Sequence, residues 1–375
     1  MTLSRLPPEA QVLLLSAGPP ADWSRARMHA VLAEPFPWPR LLSLADREHA
    51  EAILRQRLNE IDGLVIPEAA AEQLRRQAMV AEFHVTHLED RLHEALDILD
   101  RAGIEAIVLK GAALAYMVYQ SFADRPMGDI DLLFDPDTVK EARALLQPSG
   151  WGWSQDPAVE ARYQDHHHLP PLGDQAGTGL RLELHTSLFP TGHPFRGFSE
   201  DFVASRHPVA ARDRFISTPD LLFQLLHVSV HFAWSHVMQV GAWRAMRDVD
   251  TIVRHGTIDW EAFIDHARRY RAERCCYWTL RLARTIADTP IPDTVCEVLR
   301  PRYPGAVLSW LEQRYLRLML PSEALVRSVR FNRMVWQLGI NPKRNGTDQR
   351  LPWDAMGPEA NHPTVDRETA HSQAT

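Results

Sequence analysis

The chain has 375 residues, of which 45% are hydrophobic and 24% charged, the proportions of an ordinary globular protein. Its net charge of −7 gives no general electrostatic reason to bind nucleic acid. Three cysteines, Cys275, Cys276 and Cys296, form no CxxC pair and no even-numbered framework, which argues against a disulfide scaffold or a cysteine-based zinc site and fits a reducing compartment.

In chain order, Val12-Leu13-Leu14-Leu15 is too short and wrongly flanked for a signal h-region. No apolar run reaches the roughly 18 to 20 residues that span a bilayer, so the expectation is a cytoplasmic protein with no membrane partner. Ala45 to Ile61 has helical character. From Pro67 to Ala102 the period is clearer: Leu88, Leu92, Ala95 and Leu99 recur at three- and four-residue spacing, and Gly103 stands where a C′ glycine ends a helix. Ile104 to Leu109, apolar and bounded by Gly103 and Gly111, reads as a buried strand. A short helix over Gly111–Tyr119, a strand over Asp129–Phe134 and a helix to Leu146 follow, and Gly150-Trp151-Gly152-Trp153 opens less regular structure, with β character among the options. Leu180 to His185 alternates strictly and is the clearest strand in the chain.

Beyond it the helical period returns. Thr218 is the expected N-cap of a helix through His236, with Pro219 at N1. Further helices are expected over Ala242–His255, Asp259–Arg271, Cys275–Asp288 and Ala306–Met319, with disorder from about Asn341 onward. The fold class is therefore α+β. A helical N-terminal segment (1–65) precedes an α/β core (66–215), a helical C-terminal domain (216–335) and a disordered tail (336–375).

The most informative stretch is Arg125-Pro126-Met127-Gly128-Asp129-Ile130-Asp131-Leu132-Leu133. A strand has a side-chain period of two, so Asp129 and Asp131 share a face while Ile130 and Leu132 point into a core. Neighbouring carboxylates repel, and a divalent cation between them removes that penalty. Two-cation chemistry on a nucleoside triphosphate calls for a third carboxylate from a neighbouring strand. Glu183 is the best placed, although Arg181, Glu183 and His185 also read simply as the wet face of an amphipathic strand. Upstream, Lys110-Gly111 forms a strand-to-helix turn whose backbone and following helix N-terminus suit a phosphate; no Walker A loop is present. A solvated lysine beside a strand-ending glycine is the plainer reading of that turn.

Taken in order, Lys110-Gly111, Arg125 to Leu133 and Leu182-Glu183-Leu184-His185, with Thr218-Pro219-Asp220-Leu221-Leu222 and the His227–His231 helix, resemble the uncharacterised nucleotidyltransferase family of the DNA polymerase β-like superfamily. The resemblance covers roughly residues 70 to 290. It implies a minimal nucleotidyltransferase fold, a small mixed sheet flanked by helices, with Asp129, Asp131 and Glu183 as catalytic, metal-binding carboxylates for Mg²⁺ or Mn²⁺. Lys110, Gly111 and Arg125 would bind nucleotide. Where the superfamily has Gly-Ser or Gly-Gly, this chain has Lys110-Gly111-Ala112, so phosphate contact falls to backbone N–H groups, Lys110 and Arg125. The implied reaction moves an NMP from an NTP, ATP foremost, to an acceptor hydroxyl. The weak overall charge favours a protein, peptide or small molecule over nucleic acid as acceptor. The alternative is a non-catalytic nucleotide- or partner-binding module that keeps the fold, and a third option is phosphoryl transfer.

Four further residues are candidates for the cleft: His185, His227, His231 and Asp248. His227 and His231 lie at i, i+4 on one helix face, but Val228 follows the first, so no zincin motif exists; a core pair is the plainer reading. Asp248, with Arg247 and Asp250, reads first as a salt-bridged anchor to the sheet unit. His166-His167-His168 is set aside as a metal tract, since three adjacent residues on a strand cannot share one face.

Overall fold

The computed structural model describes residues 3–190, 193–195, 197–235, 241–320 and 329–340. Four short helices, α1 (Pro8–Leu15), α2 (Asp22–Leu32), α3 (Trp38–Glu48) and α4 (Glu51–Asn59), open the chain. The single helix expected over Ala45–Ile61 is two, because His49 takes a left-handed conformation (φ 54°) that ends α3. Helix α5 (Glu68–Arg101) follows the expected span and stops before Gly103, whose φ of +71° suits a residue without Cβ. Its 34 residues extend about 51 Å.

One mixed sheet follows. Its strands are β1 (Ile107–Val108), β2 (Asp129–Leu133), β3 (Trp151–Gly152), β4 (Leu172–Asp174), β5 (Arg181–His185), β6 (His207–Ala211) and β7 (Arg214–Thr218), in the spatial order β3-β4-β5-β2-β1-β7-β6. Strand β2 is antiparallel to β1 and parallel to β5, and β1 is parallel to β7. Helices α6 (Lys110–Met117), α7 (Val139–Leu146), α8 (Pro157–Arg162) and α9 (Phe198–Ala204) lie between the strands.

The β6–β7 hairpin is absent from the sequence expectation, and it displaces the helix start assigned there. Thr218 closes β7 opposite His207. The following helix, α10 (Leu221–Ser235), is capped by Asp220 instead, whose Oδ1 accepts from the Phe223 N–H at 2.9 Å. The expected end of this helix at His236 lies outside the described residues.

Helices α11 (Ala242–His255), α12 (Trp260–Arg269), α13 (Glu273–Ala287), α14 (Asp293–Leu299), α15 (Gly305–Met319) and α16 (Val329–Ile340) complete the described chain. The last one carries buried Trp336 and Ile340 into the stretch assigned to the tail; residues from 341 onward lie outside the described ones. None of the described helices is long and apolar enough to cross a membrane.

Two apolar clusters hold these layers. One joins Val85 to Leu99 of α5 with α6, α7 and the sheet residues Val108, Ile130, Leu132, Leu182 and Leu184. The other joins α1, α3 and α4 to α10, α11, α13 and α15, and includes Ala70 and Leu74 from the start of α5. Helix α5 thus runs through both cores and couples the sheet to the helical layer. A buried charge stitches the N-terminal helices to α11: Glu48 Oε2 accepts from the backbone N–H groups of Gly241 (3.0 Å) and Trp243 (3.2 Å), at the positive end of that helix.

Candidate active site

The strand expected to carry the chemistry does so by register. Across the parallel β2–β5 pair, Asp129 stands opposite Arg181, Asp131 opposite Glu183 and Leu133 opposite His185. Alternation sends Ile130, Leu132, Leu182 and Leu184 into the core, which forces the two aspartates, Glu183 and His185 onto the other face. Asp129 opens the strand with a solvent-accessible flank, while Asp131 and His185 are buried.

Polar contacts converge on Asp131. Its Oδ1 accepts from Lys110 Nζ at 2.7 Å and from His185 Nε2 at 2.8 Å. His185 Nε2 also lies 3.4 Å from Glu183 Oε2, and His168 Nε2 lies 3.7 Å from the same oxygen. Ligand atoms of Asp131, Glu183 and His185 fall within 4.8 Å of one another. Burial opposes charge on Asp131, but Lys110 and His185 outweigh it and hold its carboxyl well below the usual range. Glu183 follows the same pattern: burial pushes it up, and the opposing groups, the contact with His185 first among them, bring it down to about 2. Asp129 has no such partner. Crowding by protein atoms, with the charges of Asp131 and Glu183, pushes it up to about 6, with Lys110 and Arg244 opposing. The oxygens of Asp131 and Glu183, with His185 beside them and Asp129 on the same face, offer donors that a hard divalent cation could use.

Lys110 reaches Asp131 because β1 runs antiparallel to β2, which brings its last residues beside the start of β2; the Leu109 N–H donates to the Asp131 carbonyl at 3.0 Å. Lys110 itself has a φ of +46°, a conformation that costs a non-glycine residue about 1–2 kcal/mol. Strain of this kind persists where surrounding contacts over-determine it, and the ion pair with Asp131 is one such contact.

Gly111 and Arg125 are linked by a different constraint. The Arg125 guanidinium makes a bidentate pair with Asp248, Nε to Oδ1 at 3.0 Å and Nη2 to Oδ2 at 2.7 Å, and its Nη1 donates to the Pro126 carbonyl. It occupies the space a side chain on Gly111 would need: a Cβ there would lie 2.6 Å from Nη1. The Gly111→Ala variant is therefore expected to be less stable by about 1–3 kcal/mol, read from its urea-unfolding midpoint. An unchanged midpoint would mean that the guanidinium yields without cost.

Asp248 also accepts from the Tyr119 hydroxyl at 2.8 Å, so it anchors α11 to the sheet unit. His227 and His231 meet edge to face on α10, with ring centroids 5.7 Å apart. His227 is buried among Phe189, Phe198 and Phe202, and burial lowers its imidazole to about 3.

The histidine tract departs from its expectation. His166 and His167 lie in a bend after the turn at 163–165, and His168 forms a single antiparallel bridge to His185, so the three do not lie in one strand. Their rings therefore converge, and one nitrogen from each lies within 4.8 Å of the others. His168, as the neighbour of Glu183, and Arg244, which opposes the rise at Asp129, are residues that motif spacing did not single out. The signal for His168 was the tract itself.

A mixed sheet that sets Asp129, Asp131 and Glu183 side by side on adjoining strands, with helices on its faces, defines an α+β nucleotidyltransferase-like fold. The family described as uncharacterised nucleotidyltransferase matches residues 34–288, and the chain belongs to it. No curated protein and no solved structure matches the chain.

Proposed function

We propose that the protein transfers an NMP from an NTP, ATP foremost, to a hydroxyl of a protein, peptide or small molecule. The acceptor oxygen bonds to the α-phosphorus, the bond from that phosphorus to the bridging oxygen breaks, and pyrophosphate leaves. The observation that carries this reading is the in-register pairing of Asp131 with Glu183, with Asp129 on the same face. Bound there, Mg²⁺ or Mn²⁺ would be held by Asp129, Asp131 and Glu183 and would supply Lewis-acid stabilisation of phosphate charge.

The chain's own groups complete the reading. Lys110 brings a cation to the edge of the carboxylates, and the first turn of α6 adds N–H groups that have no intrahelical acceptor. Arg125, committed to Asp248, acts in this reading by fixing the Lys110-Gly111 turn against α11 and not by holding phosphate. Glu183, held down to about 2, suits cation binding better than accepting the proton of the acceptor hydroxyl.

One observation favours a second reading, a nucleotide-binding module without catalysis. Lys110 Nζ already sits 2.7 Å from Asp131 Oδ1, and Ala112 offers no hydroxyl to phosphate. Incubation with each α-labelled NTP, Mg²⁺ or Mn²⁺ and a lysate of the source cells separates the two. Transfer of the α-label to an acceptor, with pyrophosphate release, is the expected result. Binding of NTP without any label transfer would support the module, and transfer of a γ-label would indicate phosphoryl transfer instead.

A further inference from the structure

We propose that His166, His167 and His168 form a transition-metal site of the Zn²⁺ class, separate from the carboxylate site for a hard cation. One nitrogen from each ring lies within 4.8 Å of the others. Tetrahedral zinc with bonds of about 2.0–2.1 Å sets its nitrogens about 3.3 Å apart, so ring rotations that close at most about 1.5 Å would complete the set. Imidazole donors suit Zn²⁺ and its neighbours in the d-block, whereas Mg²⁺ takes oxygen ligands.

The backbone holds the tract in place. The His167 carbonyl accepts from the N–H groups of Thr186 (2.8 Å) and Ser187 (3.2 Å), and the Leu169 N–H donates to the Leu184 carbonyl at 2.9 Å. The tract is thus fastened along β5 and its exit. Such support is what a metal site needs to keep its ligands in place.

The ring nitrogens point the same way. His168 Nδ1 lies 2.6 Å from the Leu169 carbonyl; a carbonyl only accepts, so Nδ1 carries the proton. In the neutral ring Nε2 then presents a lone pair, 3.7 Å from Glu183 Oε2. That lone pair is open to an ion shared with His166 and His167, while Glu183 Oε2 already has His185 Nε2 at 3.4 Å. His168 is 2% exposed, so bulk water does not satisfy its lone pair. The buried Nδ1 of His167 has no hydrogen-bond partner, and a buried nitrogen left unsatisfied calls for an explanation such as a bound ion. A backbone carbonyl that fixes the tautomer of a ligating histidine is also the usual support for a metal ligand. The site borders β5 without using Asp129 or Asp131, so it stands whether or not the carboxylates transfer a nucleotide.

The test uses the full chain, stripped with chelator and titrated with Zn²⁺ by calorimetry and with Co²⁺ by visible absorption. One equivalent is expected to bind, with Co²⁺ giving the d–d bands of an imidazole-rich site, and millimolar Mg²⁺ is expected not to displace it. Asp129→Asn with Asp131→Asn should keep the affinity. His166→Ala with His167→Ala should lose more than about 100-fold, beyond what losing a supporting partner costs. Should the double variant not fold, His167→Gln, checked by circular dichroism, should weaken binding at least about tenfold. Unchanged affinity in the histidine variants, displacement by Mg²⁺, or loss in the aspartate variant would each overturn the proposal.

Discussion

Asp131→Asn is expected to lower the proposed nucleotidyl transfer by about 100- to 1,000-fold, the scale seen when one preorganised group that stabilises transition-state charge is removed. Asn keeps the shape but not the charge that Lys110 and His185 both contact at Oδ1. If Asp131 holds the cation as proposed, the loss should fall on turnover, because the cation's charge matters most where phosphate charge develops. Label transfer from α-labelled NTP over a Mg²⁺ series, beside a circular-dichroism check of folding, measures it. Transfer within about tenfold of the parent would remove Asp131 from the reaction, since uncatalysed chemistry cannot make up such a deficit.

Asp248→Ala carries the largest expected effect on stability. Asp248 and Arg125 side chains are 3% and 12% exposed, and removing one partner of a buried pair leaves the other charge uncompensated, at about 3–5 kcal/mol. Tyr119 loses its acceptor as well. Replacing both partners with apolar residues, Arg125→Met with Asp248→Leu, should cost less than Asp248→Ala alone. Urea-unfolding midpoints of the three proteins decide this. If Asp248→Ala unfolds within about 1 kcal/mol of the parent, less than a typical core lesion, the pair does not hold α11 to the sheet.

The parts of this molecule that were legible have strong local periods. Helix α5 shows its apolar repeat and its closing glycine, and β2 and β5 alternate cleanly because each buries one face. The β6–β7 hairpin was not legible. Pro208 interrupts its first strand, and Phe215 on the second is 72% exposed; a proline is tolerated there because β6 is the edge of the sheet. The break at His49 was hidden as well, since a left-handed residue that is not glycine leaves no mark in composition.

For the site, strand alternation alone brought Asp129 and Asp131 to one face, because side-chain direction in a strand is a local property of the backbone. It also set Glu183 and His185 on a common face. Which strands lie side by side is not local. Only the tertiary structure put β5 beside β2 in parallel register, set Lys110 on Asp131 through the antiparallel β1, and spent Arg125 on Asp248 in a contact 123 positions apart. The histidine tract shows the same division. Adjacent residues diverge on a strand, but a bend brings them together; the carbonyls and amides of β5 and its exit hold the end of that bend in place.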